Sequence, residues 1–532
     1  MSFAQPGFDE RHKLLAKAEN IVIFPSALRG IEREGLRVSP AGTIAGTAHP
    51  AGLGSALTHP YVTTDYSEAL LEFITEPSIA PGEVLSQLRE LLNLSLREMP
   101  QEFLWAGSMP CQLGDDSDIP VANYGSSNIG QMKRVYRLGL GHRYGRKMQT
   151  IAGVHFNYSA PDAIWNLLRI QDRSSLPLQD YKTEGYLALI RNFRRWIWLL
   201  LYLTGSSPAV CRSFVKERQH QLQPLGGDEH TLHAPFATSL RMGDLGYQSS
   251  AQDSLVVCFN SLDRYVEVLR EAILTELPRY RELGTCDEAG NYRQLNAGLL
   301  QIENEFYSTV RPKQTARRGE TQLKALADRG VEYVEVRCLD LNPFEPLGIG
   351  ERQIHFTEAF LLACLMHPSP QTYNEEYAAI AENQRRAVYR GRDPELQLQL
   401  GDGSEVSMQD WASEIMQYVS RAASLLDCAN HSDGYSDAVA HYQAMLAQPE
   451  LTPSAQVLQQ LEEEKITYFR WTMQQSLKFT EQLRAQEVNA DSLQLFAETA
   501  ANSLTEQQRM EQADKLPFAE YLAHYYDQYR QL

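Results

Sequence analysis

No stretch of this sequence stays apolar for the ~20 residues that a membrane-crossing helix needs. The most apolar run, Trp196 to Leu203, is far shorter and follows Arg191, Arg194 and Arg195, so it reads as a buried helix. The N-terminus, MSFAQPGFDERHKLL, carries acids and bases where an export signal would need its apolar segment, and no export is expected. Cysteine is sparse: seven, at 111, 211, 258, 286, 338, 364 and 428, with no CxxC pair. That spacing excludes a zinc framework and suits reduced thiols in a cytoplasmic protein. Positive charge is also short, with 49 Lys and Arg against 67 Asp and Glu and a net charge of -18. A protein whose main partner is nucleic acid needs a basic surface to displace counterions, so that class is set aside.

The familiar nucleotide and nucleophile signatures are missing as well. There is no GxxxxGK[ST] and no GxSxG, and the glycines of Gly139-Leu140-Gly141-His142-Arg143-Tyr144-Gly145 are misplaced for GxGxxG. Any phosphate must therefore be held by metal ions and basic side chains. Basic residues are dense from Lys133 through Arg146 and from Arg311 through Arg318. Each run reads equally as a solvated face or as an anionic-ligand site.

What the chain does have is the composition of a folded enzyme, with 43% hydrophobic and 22% charged residues. Its first third mixes short β-like runs with helices, and beyond about residue 350 the pattern is mainly helical. From Tyr435 to Leu532 there is no glycine. Val457, Leu458, Leu461, Ile466 and Phe469 recur there at near-helical spacing, as a packing face would. The expected organisation is a core over 1–350 with a mainly helical region over 351–532 packed on it, or one domain comprising both.

Acids interrupt the apolar strand-like runs. In Gly30-Ile31-Glu32-Arg33-Glu34, the two glutamates share one face of a strand. In Val331-Glu332-Tyr333-Val334-Glu335-Val336-Arg337, the same period puts Glu335 and Arg337 on one face and Val334 and Val336 on the other. Gly153 to Tyr158 separates His155 and Asn157 from Val154, Phe156 and Tyr158, and Leu70 to Thr75 plants Glu72 among apolar neighbours just after Asp65. Acids within such strands need compensating positive charge. Carboxylates with one imidazole suit Mg2+ or Mn2+, which bridges protein acids to phosphates. The plainer reading is a sheet edge whose acids face water or pair with Arg33 and Arg37.

These residues resemble the proteobacterial type of glutamate-cysteine ligase. The resemblance runs through Gly30 to Glu34, Gly54 to His59, Thr64 to Thr75, Ser108 to Cys111, Met148 to Asn157, Ala237 to Arg241, Asp244 to Tyr247, Gln301 to Glu305 and Glu332 to Phe344. It implies an α+β, glutamine-synthetase-like fold with a curved, mainly antiparallel sheet forming a funnel among helices. It also implies ATP-dependent joining of the L-glutamate γ-carboxylate to the L-cysteine amine through a γ-glutamyl phosphate, the first step of glutathione biosynthesis. By position, the implied metal ligands are Glu32, Glu34, Asp65, Glu72, His155 and Glu335, with Glu335 and Arg337 catalytic and Arg337 on the transferring phosphoryl group. Gln149, Asn157 and Arg241 resemble the residues holding glutamate, and Tyr66, Tyr136, Leu140, Tyr247 and Tyr307 the cysteine pocket. Tyr66 stands where the family has phenylalanine, adding a hydroxyl to that pocket. ATP as co-substrate, Mg2+ or Mn2+, a monomeric cytoplasmic enzyme and feedback by glutathione complete the expectation. The alternative is a ligase of the same fold using another amine.

Overall fold

The computed structural model describes residues 7–110, 112–216, 218–246, 252 and 255–532. At its centre seven strands form an antiparallel sheet: β1 (Leu28–Val38), β2 (Val62–Thr64), β3 (Leu70–Ile74), β4 (Phe103–Leu104) and β5 (Gly153–Ser159), joined by two strands from much later in the chain. Between them, β6 (Ala209–Cys211), β7 (Gln223–Leu225) and β8 (Asp228–His233) make a separate small sheet. The late strands are β9 (Val310–Lys313) and β10 (Tyr333–Asp340). The order across the large sheet is β2-β3-β1-β5-β10-β9, with β4 paired to the end of β1.

The side-chain period of two divides this sheet into unlike faces. Leu71, Phe73, Val154, Phe156, Tyr158, Val334 and Val336 point one way and are completely buried. The helix Pro81–Arg97 packs across β1 and β3, and the helix Leu178–Thr204 packs across β9 and β10. The second contains the Trp196 to Leu203 run, every residue of which is buried. No described helix is long and apolar enough to cross a membrane. Each Val, Leu or Phe side chain buried this way contributes about 1.5–3 kcal/mol, which offsets the cost of a polar opposite face.

The pairing of β10 with β5 shifts between Val336 and Leu339, so Arg337 and Cys338 together oppose His155. An extra residue of this kind is a β-bulge, which bends the strand and re-aims the side chains beside it.

From Glu351 onward the described elements are helices, apart from the hairpin Gln397–Gln399 with Glu405–Ser407. The apolar series in this region is not one face. Its helix stops at Glu464, Lys465 takes a left-handed φ of 52°, and Phe469 belongs to the next helix. Val457, Leu458 and Leu461 are buried as expected. The last two helices return to the core. Ser55 N donates to Ser503 Oγ at 2.9 Å, and Tyr526 Oη donates to the Gln301 carbonyl at 2.8 Å.

Not all the cysteines are reduced thiols: Cys258, Cys286, Cys338, Cys364 and Cys428 are free, but Cys211 is disulfide-bonded. Separation along the chain says nothing about proximity in space, which is what a disulfide requires.

Candidate active site

The polar face of the sheet gathers the predicted acids by register. Glu32 lies opposite His155, Glu34 opposite Glu72, and Asn157 opposite Glu335. His155 bridges two of the carboxylates, with Nδ1 3.1 Å from Glu32 Oε2 and Nε2 3.6 Å from Glu34 Oε1. Asn157 donates to Glu32 Oε1 at 2.9 Å. Ligand atoms of Glu32, His155 and Glu335 all lie within 4.8 Å of one another, and so do those of Glu34, Glu72 and His155. Asp65, in the turn between β2 and β3 that its N–H to the Leu70 carbonyl closes, lines the same cavity as Glu32, Glu72 and Glu335. Neither glutamate of β1 pairs with Arg33 or Arg37: Arg37 bonds Glu102 at 2.7 Å.

Carboxylates this close repel by on the order of 3–4 kcal/mol per pair at an effective dielectric of about 20. Burial and then the carboxylates of Glu32, Asp65 and Glu34 hold the Glu72 carboxyl well above the usual range, and burial also raises Glu34. For Glu335 burial works the same way but is outweighed by Lys313 and Arg337, which bring it well below that range. Their nitrogens are 3.3 Å from Glu335 Oε1 and 3.2 Å from Oε2. Glu32 is likewise lowered against its burial, chiefly by the His155 hydrogen bond. The site is therefore graded, with a carboxylate-rich end at Glu34 and Glu72 and a cation-balanced end at Glu335. His155 Nε2 and Asn157 Oδ1 are buried without a hydrogen-bond partner among the described residues. Hard oxygen donors with one imidazole nitrogen left over are the donor set a small divalent cation takes.

Two cavities open onto this face. The larger, about 400 Å³, is walled by the carboxylates, by Lys133, Arg137, Arg311, Lys313 and Arg337, and by Met132, Ile302 and Tyr525. The smaller, about 70 Å³, is lined by Tyr66, Tyr136, Leu140 and Tyr307 together with Met148, Gln149 and Ile151. Asp65, Tyr136, Arg137, Asn304 and Arg337 border both. Four of the five residues expected around cysteine thus meet in one pocket, and Tyr247 lies outside the described residues. The Tyr66 hydroxyl is buried without a hydrogen-bond partner among them. Gln149 donates to Tyr307 Oη at 3.1 Å.

Of the expected glutamate contacts, Gln149 lines the small pocket, Asn157 lines neither cavity, and the same holds for Arg241. Arg241 is completely buried; Nη2 donates to the Arg337 carbonyl at 3.0 Å, and Nη1 is 3.9 Å from Asp340. Gly246, in the wall of the small pocket, packs on the Arg241 backbone.

The strand motifs gave no sign of the cations from outside β10. Lys133 and Arg137 are one turn apart on the helix Asn128–Tyr144, and Arg311 and Lys313 share a face of β9. Their signal was the two basic runs, which converge here. Asn304 lies within the Gln301 to Glu305 stretch of the family resemblance but was given no role, and Tyr525 carried no signal.

A carboxylate floor with basic walls, joined to a small pocket lined by tyrosines, suits an enzyme that binds a polyanion with divalent cations beside a small organic substrate. A family model described as glutamate-cysteine ligase matches residues 13–387. The glutamate–cysteine ligase of Saccharophagus degradans is 49% identical over 519 residues, covering 98% of each chain. That of Alcanivorax borkumensis is 49% identical over 523 residues, covering 97% of this chain and 99% of the relative. A crystal structure of glutamate–cysteine ligase from Francisella tularensis in complex with AMP superposes with a TM-score of 0.89 at 35% identity, covering 95% of this chain and 98% of that one. The chain belongs to the glutamate–cysteine ligase family.

Proposed function

We propose that the protein uses ATP to join the γ-carboxylate of L-glutamate to the amine of L-cysteine, giving γ-glutamylcysteine, ADP and phosphate as the first step of glutathione biosynthesis. The observation that carries this reading is the junction at Arg337, which borders both the polyanion-suited cavity and the amino-acid-sized pocket. A carboxylate is a poor electrophile, so its γ-oxygen first takes the terminal phosphoryl group of ATP. The cysteine amine then attacks the acyl carbon and phosphate leaves.

The polyphosphate lies in the larger cavity, a position supported by its five basic side chains; the Francisella relative's complex with AMP supports the use of an adenine nucleotide. Glu32, Glu34, Asp65, Glu72, His155 and Glu335 would hold Mg2+ or Mn2+, which supplies positive charge to phosphate oxygens. Glu335 fixes Arg337 by their 3.2 Å contact, and the planar guanidinium presents paired donors to the transferring group. Preorganised charge aimed at that group is the largest barrier-lowering effect such a site has. Gln149 and Asn157 orient glutamate, with the charge of the buried Arg241 drawing its α-carboxylate. Tyr66, Tyr136, Leu140, Tyr247 and Tyr307 enclose the cysteine side chain.

The working division is a catalytic core over 1–350 and a helical region over 351–532 packed on it. A monomeric cytoplasmic enzyme, inhibited by glutathione through likeness to glutamate and cysteine joined, completes the proposal. The test is an assay of purified protein with ATP, Mg2+, glutamate and cysteine, with the product identified by fragmentation mass spectrometry. A γ-linked dipeptide is expected. An α-linked product overturns the glutamate orientation, and ADP release dependent on another amine in place of cysteine overturns the acceptor.

A further inference from the structure

The basic side chains around the larger cavity are not equivalent. Arg137 spends its guanidinium on backbone, donating to the carbonyls of Asp65, Lys133 and Thr64. Arg311 donates to the Asn304 and Phe306 carbonyls. Lys313 and Arg337 are paired with Glu335. Lys133 has no carboxylate within ion-pair distance among the described residues, although it lines a cavity containing Glu32, Asp65, Glu72, Glu303, Glu320 and Glu335. Its ammonium instead lies 5.2 Å from the Tyr124 ring centroid. That ring is itself fixed, with Tyr124 Oη donating to the Thr64 carbonyl at 2.7 Å.

Withdrawing an ammonium from water without a counter-charge is unfavourable. Burial and the neighbouring Arg137 cation push Lys133 down to about 8, so it still carries its charge at neutral pH. A charged, half-buried group without a carboxylate partner among the described residues, held on an aromatic ring at the rim of a carboxylate floor, is placed to meet a partner that arrives from solution. That partner must be an anion, and the carboxylate floor admits one best when it comes with its own cations. A magnesium–nucleotide complex has this chemistry.

We propose that Lys133 contacts the polyphosphate of ATP, supplying charge from the helix wall of the cavity while the sheet supplies it through its bound cations and Arg337. The assignment rests on the ATP-dependent reading above. It makes Lys133 a nucleotide-binding residue, distinct from the amino-acid pocket.

The variants Lys133→Gln and Lys133→Arg, titrated calorimetrically with ADP and with AMP in the presence of Mg2+ and without amino acids, test it directly. Lys133→Gln is expected to weaken ADP binding by roughly 10-fold or more, the scale of one charge-assisted contact, and AMP by less. Lys133→Arg is expected to recover most of the loss. In turnover, KM for ATP should rise in Lys133→Gln while KM for glutamate and cysteine stays within about two-fold. A lowered thermal midpoint with unchanged ADP affinity overturns the proposal, since it makes Lys133 a structural partner of Tyr124. A raised KM for glutamate or cysteine with unchanged ADP affinity overturns it equally. Lys133-dependent ADP binding in a protein that makes no γ-glutamylcysteine supports this inference and defeats the ligase reading, so the two failures are distinguishable.

Discussion

Arg337 Nη1 lies 3.2 Å from Glu335 Oε2, two residues earlier on the same strand, and 3.4 Å from His155 Nδ1 across the bulge. Because His155 Nδ1 is hydrogen-bonded to Glu32, it is the Glu335 carboxylate that holds the guanidinium at the mouth shared by both cavities. Lysine at 337 keeps the charge and loses the planar fork. Arg337→Lys should lower kcat by ~100-fold, on the order of 2.7 kcal/mol of transition-state stabilisation, with little change in thermal midpoint. Measuring turnover and unfolding on one preparation decides this. Near-normal kcat with a lowered midpoint would make Arg337 a structural ion-pair residue.

The raised Glu72 and Glu34 carboxyls give cation binding a proton signature. A divalent ion favours the ionised form of the acids it meets, so protons leave as it binds. Titrating Mg2+ calorimetrically in two buffers of different ionisation enthalpy should show net proton release, larger at pH 6 than at pH 8. Glu72→Gln should remove most of it. Buffer-independent heats at both pH values would place the cation away from Glu72.

The period of two made much of this site legible in the sequence. In an antiparallel sheet it leaves Glu32 and Glu34, His155 and Asn157, or Glu335 and Arg337 no choice but to share a face. The resemblance added Tyr66, Tyr136, Leu140 and Tyr307, which come from a loop, a helix and a distant segment and have no common period. What stayed hidden depends on pairing between remote parts of the chain. Nothing local says that β5 joins β1 to β10, that Arg337 and Cys338 bulge against His155, or that Lys133 faces the strand carrying Glu72. The break at Lys465 was hidden because apolar spacing continued across it while the backbone turned.

The C-terminal helix offers another check. Tyr529 donates its hydroxyl to Glu303, whose other oxygen accepts from the Gln322 backbone N–H at 2.6 Å. Glu303, Gln322 and the nearby Tyr525 all line the larger cavity. Tyr529→Phe leaves Glu303 buried with one bond fewer, at a cost of about 1–3 kcal/mol. The expected result is a lower thermal midpoint together with a KM for ATP raised several-fold, while KM for cysteine is unchanged. A midpoint shift with every KM unchanged would confine this helix to stability.

His59 gives the fold an acid limit independent of the catalytic carboxylates. Its Nδ1 accepts from the backbone N–H groups of Tyr61 and Val62, at 3.1 and 2.9 Å, so the neutral ring is the bonded form. Burial pushes His59 down to about 4, and burial with Arg37 does the same to His49. Because these folded values lie below the unfolded one near 6.5, the unfolded chain takes up the protons first. Their contribution to stability is present in full above pH 6.5 and is lost as pH falls from there toward 4. For His59 alone the loss is up to about 3 kcal/mol, since each tenfold difference in proton affinity between the folded and unfolded chain is worth about 1.36 kcal/mol. Asparagine at this position places an amide oxygen where Nδ1 accepts and does not titrate. Urea unfolding at pH 7.5, 6 and 4.5 should therefore show the wild-type protein losing about 1–3 kcal/mol more than His59→Asn on acidification. Parallel losses in the two proteins would mean that His59 already takes up its proton in the folded state.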